Sequence, residues 1–198
     1  MKIETYVMGP VSTNTYLLTE GKECILIDPD GKAEKLLDII GERKLLAILL
    51  THGHFDHIKA VDGLYDHFRC PVYLHEDDEY LARDRYAGKS FGITSFISCP
   101  IEKLQEGKME IGPFSFEVIF TPGHTPGSVI YVFDDAIFSG DTLFKGSIGR
   151  TDLEGGNYRI MKQSLDIFRH FTKDYKIYPG HEEATTLSEE LLNNYYLK

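Results

Sequence analysis

The sequence predicts an α/β fold: two mixed β-sheets with helices packed on their outer faces. Three observations carry that prediction. Strand-like runs cluster early and again late in the 198-residue chain, with helical patterns between and after them. The run at 45–50 is apolar throughout and far too short to span a membrane, which suits a strand buried on both faces. His and Asp residues then follow four separate strand-like runs, beside glycines, at the strand exits where open α/β sheets place their sites.

The elements follow in order. Residues 2–8 read as a first strand, punctuated by Gly9-Pro10; 15–19 and 24–27 read as the next two, the last ending in the turn Asp28-Pro29-Asp30-Gly31. An amphipathic helix is expected over 33–42, with Leu36, Leu37, Ile39 and Ile40 apolar. After the strand 45–50 and its loop, 57–68 reads as a helix, 71–75 as a short strand and 76–83 as one or two helical turns. Residues 86–100 are irregular and rich in Gly, Ser and aromatics. Strands are expected over 115–121, 128–133 and 136–139, a helix over 157–171, a strand over 176–178 and a closing helix over 187–196. No repeat, low-complexity tract or linker interrupts this order, so residues 1–198 are read as a single domain.

Composition narrows the function. Hydrophobic residues make up 42% and charged residues 26%, ordinary for a globular chain, and the formal net charge of −10 argues against nucleic acid or an anionic membrane as partner. The first ten residues carry no apolar core ahead of a cleavage site, and no stretch reaches transmembrane length. Cys24, Cys70 and Cys99 have no zinc-finger or Cys-x-x-Cys spacing and read as reduced, buried thiols. A cytoplasmic protein acting on a small molecule is the expectation.

The chemistry concentrates at Thr51-His52-Gly53-His54-Phe55-Asp56-His57. In an extended chain residues i and i+2 share a side, so His52 and His54 can converge on one point, while Asp56 and His57 face a second point nearby. His124, Asp141 and His181 arrive at the other strand exits, each directly after a glycine. Seven side chains are too many for one tetrahedral ion and suit two. The natural partition gives His52, His54 and His124 to the first, Asp56, His57 and His181 to the second, with Asp141 bridging. No Cys takes part, unlike many closed structural sites. Three histidines favour zinc; histidine with carboxylate also suits iron(II) or manganese. Asp28, at a strand end, either receives the outer N–H of a ligating histidine or stabilises its own turn; Asn14 either lies near the site or serves a turn. His67, His75 and His170 read as structural or solvated.

This pattern resembles the metallo-β-lactamase superfamily. Phe138-Ser139-Gly140-Asp141-Thr142-Leu143-Phe144, then Gly149-Arg150-Thr151-Asp152, looks like its glyoxalase II-like branch. So does the ending, Gly180-His181 with Thr185-Thr186, Glu189 or Glu190, and Asn193-Asn194-Tyr195-Tyr196. The resemblance implies a four-layer αββα sandwich with a dinuclear site at one edge of the sheets, and hydrolysis of a thioester such as S-lactoylglutathione. Full-length members carry a further C-terminal helical domain, and a Lys followed by aromatics where this chain has Arg150, Thr151 and Asp152. Metal held there would acidify bound water enough to make a hydroxide available at neutral pH for hydrolysis of the thioester. Asp56 and Asp141 are ligands first and the carboxylates available to handle a proton. Arg150 either receives a substrate carboxylate or pairs with Asp152. The segment 86–100, with Tyr86, Phe91 and Phe96, either covers the pocket or packs as an ordinary loop.

Two rival readings remain. A sulfur dioxygenase acting on glutathione persulfide is also similar to this chain, with one iron on the residues matching His52, His124 and Asp141. A non-catalytic metal-binding module is the other.

Overall fold

A computed structural model describes all 198 residues. The first half of the chain builds one sheet: β1 (Lys2–Met8), β2 (Thr13–Glu20), β3 (Glu23–Ile27), β4 (Lys44–Leu49), β5 (Val72–Leu74) and β6 (Glu102–Lys103), in that spatial order. The first three pair antiparallel and β3 to β6 run parallel. Parallel neighbours need crossovers, supplied by α1 (Ala33–Ile40), α2 (Val61–Phe68) and α3 (Glu79–Arg83).

The second half builds the other sheet from β7 (Gly107–Ile111), β8 (Phe114–Phe120), β9 (Val129–Val132) and β10 (Ala136–Gly140). A small hairpin, β11 (Leu143–Phe144) and β12 (Ser147–Ile148), and the helix α4 (Tyr158–Leu165) come next. Then follow β13 (Lys176–Pro179), β14 (Thr185–Thr186) and α5 (Leu187–Asn193). The spatial order is β14-β13-β10-β9-β8-β7, antiparallel except for the β10/β13 pair.

Strand alternation sorts the apolar residues into three layers. Ile25, Ile27, Ala47 and Leu49 of the first sheet meet Phe116, Val118, Tyr131 and Phe138 of the second between the sheets. Their neighbours Cys24, Leu26, Ile48 and Leu50 point outward against Leu36, Ile40, Val61 and Leu64 of α1 and α2. Ile130, Ile137 and Ile177 point outward on the other side against Met161 and Leu165 of α4 and Leu187 of α5. The result is the four-layer αββα sandwich. A register shift opposite Leu46 lets Leu45 and Ile48 face the same side of β4.

The structure departs from the sequence reading in boundaries. The helix expected from His57 begins at Val61, because 51–60 is held open by bonds such as Ala60 N–H to Pro29 O (3.0 Å). The helix expected over 157–171 is α helix only to Leu165, and a 3₁₀ turn continues it to His170. The closing helix ends at Asn193, with a 3₁₀ turn at Tyr195–Leu197. Five short strands, β6, β7, β11, β12 and β14, fall where the pattern singles out none; β7 alternates half-buried and exposed residues at a sheet edge. No helix is long and apolar enough to cross a membrane. The three cysteines are free and buried, and burial pushes the Cys24 and Cys70 thiols up to about 11 and Cys99 to about 12.

The sheets are tied at the edge where β3, β4, β8, β10 and β13 all end. Tyr131, fully buried on β9, donates its hydroxyl to Leu50 O across the sandwich (2.7 Å). Tyr131→Phe leaves that carbonyl without its partner. We expect a loss of about 1–2 kcal/mol in denaturant unfolding with the slope of the transition unchanged.

Candidate metal centre

The ligand-type side chains sit on the loops that leave those strand ends. Three are buried to within 2% of full burial: His52, His57 and His124. His54 and His181 are half-buried at the mouth. Ligand atoms of His52, His54 and His124 lie within 4.8 Å of one another, as do those of Asp56, His57 and His181. His54 Nδ1 and His124 Nε2 are 2.9 Å apart. Asp141 stands between the two sets: Oδ2 is 3.4 Å from His124 Nε2 and 3.6 Å from His181 Nε2, and Oδ1 is 3.5 Å from His57 Nε2. The structure therefore brings all seven sequence-selected side chains to one edge of the sandwich. His67 and His170 are exposed elsewhere, and His75 accepts from Asp77 N–H (3.1 Å) in a 3₁₀ turn.

Hydrogen bonds fix the tautomers. The Thr51 hydroxyl has one proton and gives it to Asp28 Oδ2 (2.6 Å), so it accepts from His52 Nδ1 (3.0 Å). His57 Nδ1 donates to Asp28 Oδ2 (3.0 Å) and His124 Nδ1 to Arg150 O (2.7 Å). Each of these rings is thereby held by its outer nitrogen, with Nε2 turned to the centre. Asp28 Oδ1 also accepts from Thr51 N–H (2.8 Å), and Asp28 itself is held at φ 49° at the end of β3. His52 Nε2, His57 Nε2 and Asp141 Oδ1 are buried without any hydrogen-bond partner. Orphaned polar atoms are costly in an interior, and three that converge fit cation coordination.

The loop bearing His181 is sewn to β2. Asn14 N–H donates to Gly180 O (2.7 Å), and the Asn14 amide to Pro179 O (3.0 Å) and Glu182 O (2.8 Å). Thr13 Oγ1 donates to Asp56 Oδ2 (3.2 Å). Gly180 is required by proximity: a Cβ there would collide with Asp141 Oδ1 and lie 2.8 Å from His57 Cε1. The Arg150 side chain is exposed and forked onto Asp152 (2.7 and 2.8 Å). It lines, with Val11, Ser12, Phe144 and Ser147, a cleft of about 610 Å³ that opens on Asp141 and His181. Phe91, in the irregular segment, stacks on Phe55 at 5.4 Å beside the mouth.

Charge is distributed unevenly. Burial, reinforced by the neighbouring imidazoles, holds His52 well below the usual histidine value and pushes His54 down to about 3. Burial opposes charge on His57 as well, but Asp56, Asp28 and Asp141 outweigh it and raise the group to about 10. Burial also works against the Asp56 carboxylate, yet His57 and His181 keep it below the usual range.

Sequence reasoning missed Thr13, Thr51 and Asp78 as parts of this centre. Asp78 is fully buried and bonded to both loops that carry the first three histidines. Only its place three residues beyond a strand-like run hinted at it.

A two-sheet sandwich with clustered His and Asp at its strand-exit edge defines a metallo-hydrolase. The family model of the metallo-beta-lactamase superfamily matches residues 8–181, and the chain belongs to that superfamily, whose members bind divalent metals. The chain is 40% identical to the probable metallo-hydrolase YqgX of Bacillus subtilis strain 168, over 97% of this chain and 88% of that one. It is 33% identical to hydroxyacylglutathione hydrolase GloC of Haemophilus influenzae, over 100% and 98%. Among solved structures it is similar to BLEG-1 B3 metallo-beta-lactamase, with a TM-score of 0.92, 39% identity and all of both chains covered. It is also similar to TTHA1623 in a di-iron-bound form, with a TM-score of 0.90, 37% identity and 98% and 100% covered.

Two outcomes follow. Gly180→Ala forces Asp141 and His57 apart, so metal taken up per chain, measured by elemental analysis, falls while the fold persists by circular dichroism. Loading a metal-free sample near pH 7 displaces a proton from His57, because a ligating imidazole is neutral and this one is charged below about 10. Proton release, read with a pH indicator, therefore declines as pH rises through about 10.

Proposed function

We propose that this protein is a thioester hydrolase with two divalent metal ions, acting on a small hydroxyacyl thioester of the S-lactoylglutathione kind. His52, His54 and His124 would hold the first ion and Asp56, His57 and His181 the second, with Asp141 available to both. The observation that carries the reading is the pair of three-residue sets flanking Asp141, with buried polar atoms that have no hydrogen-bond partner. The 33% identity to a hydroxyacylglutathione hydrolase, over the whole chain, supports the thioester substrate.

When bound, the ions would supply acidified water as nucleophile at neutral pH and a Lewis acid for the carbonyl oxygen. The protein's own part is placement. Asp28 and Thr51 hold the Nδ1–H groups of His57 and His52, so that Nε2 of each ring faces the centre. Thr13 and Asn14 steady Asp56 and the His181 loop. Asp56 and Asp141, with oxygens at the centre, are the carboxylates able to take a proton during turnover. The cleft receives the thiol-bearing part, and Arg150, already aligned by Asp152, offers its remaining N–H groups to an anionic end. Zinc suits the three-histidine set, and iron or manganese fits the mixed set. A cytoplasmic location belongs to the same reading; three free, buried thiols support it.

The test pairs elemental analysis with a panel of S-lactoylglutathione, other thioesters, lactones and a β-lactam. Two metals per chain and release of thiol with acid are expected. One iron per chain with oxygen uptake on a persulfide would instead identify a dioxygenase, and inertness across the panel a binding module. His54→Ala should abolish turnover and lower metal content; a fully active variant would mean that the ligands are misassigned.

A further inference from the structure

Asp78 lies in the run Glu76-Asp77-Asp78-Glu79, which reads as an acidic, solvated helix start. Glu76 and Asp77 are indeed exposed, but Asp78 has no exposed surface. A buried carboxylate persists only where donors surround it, and here three do. Gly53 N–H (2.8 Å) and the Thr125 hydroxyl (2.6 Å) donate to Oδ2, and Gly127 N–H (2.6 Å) donates to Oδ1. The Thr125 hydroxyl accepts in turn from Ser128 Oγ (2.7 Å), which itself accepts from Thr125 N–H (3.0 Å). Gly127 allows the close approach, since a Cβ there would stand 2.8 Å from Asp78 Cγ.

The donors are not scattered. Gly53 separates His52 from His54, and Thr125 adjoins His124. The first loop leaves the first sheet and the second loop leaves the second sheet, so their spacing is the spacing of three imidazoles contributed by different sheets. The other triad has anchors of its own in Asp28, Thr13 and Asn14. We propose that Asp78 is a positioning residue that clamps the Gly53 loop to the Thr125–Gly127 loop and so sets the geometry of the first metal ion alone. The inference rests on the two-ion reading above.

Metal-stripped full-length protein, titrated with Zn²⁺ against a chromophoric chelator, tests it. Asp78→Asn keeps the shape but sets an amide donor against donors; Thr125→Val removes one donor and Thr125→Ser keeps it. In Asp78→Asn and Thr125→Val, one of two binding events should weaken by about 10- to 100-fold while the other stays within about threefold. Thr125→Ser should match the parent protein. In a His54→Ala background, where the first set is already broken, Asp78→Asn should leave the remaining zinc affinity unchanged. If Asp78→Asn fails to fold by circular dichroism, Thr125→Val and Thr125→Ser decide the matter. Unchanged binding in the variants, equal weakening of both events, a Thr125→Ser protein as impaired as Thr125→Val, or a further loss in the His54→Ala background would each overturn the clamp. A parent protein that takes up fewer than two ions would instead remove the two-ion reading, and the clamp with it; a two-ion parent whose Asp78→Asn variant binds both ions as tightly as the parent does removes the clamp alone.

Discussion

The Asp28 carboxylate is the interaction on which the centre depends. It is buried at the end of β3 and accepts from Thr51 N–H, the Thr51 hydroxyl and His57 Nδ1. Through Thr51 it also sets the tautomer of His52. One anchor on the first sheet thus orients one imidazole of each proposed metal set. An asparagine there would set its amide N–H₂ against groups that donate to the carboxylate, the Thr51 hydroxyl and His57 Nδ1 among them. The left-handed backbone of Asp28 is the local strain accepted for that placement.

The sandwich makes such economy possible. Parallel strands end together, so β3 and β4 of one sheet, and β10 and β13 of the other, deliver their loops to one edge. The edge is then closed by bonds between the sheets: Val129 N–H to Thr51 O, Asn14 N–H to Gly180 O, and the hydroxyl of Tyr16 to Pro179 O. These ties hold the loop roots, and the buried carboxylates Asp28 and Asp78 hold the loop tips. The core between the sheets therefore does more than stabilise the fold, because its thickness fixes how far His52 stands from His124.

How much of this was legible in the sequence follows from separation along the chain. His52, His54, Asp56 and His57 lie within six residues, and the strand period alone converges the first two. His124, Asp141 and His181 were visible because each follows a glycine after an apolar run. The layered fold was legible for the same reason, since its strands are buried and therefore apolar. The rest depended on distance. Asp78 meets its partners 25, 47 and 49 residues away, inside an acidic run that looks solvated. The start of α2 moved because side chains at 54–57 are committed to the centre, a tertiary demand that overrides helix propensity. The short strands at the sheet edges carry too few buried residues to leave a pattern.

The charge of the centre differs from that of the chain. The protein carries a formal −10, which would repel an anionic thioester at long range. On the two-ion reading, two divalent cations, the carboxylates of Asp28, Asp56 and Asp141 and one hydroxide would sum to zero, so the centre would be locally neutral within an acidic protein. Salt screens the distant surface carboxylates within about 8–10 Å, whereas the site's field acts at contact with little screening. On that reading, capture of an anionic substrate would depend on the last few ångströms, where Arg150, paired with Asp152, stands at the cleft wall. The repulsion from the acidic surface and the field of the site therefore operate over different ranges.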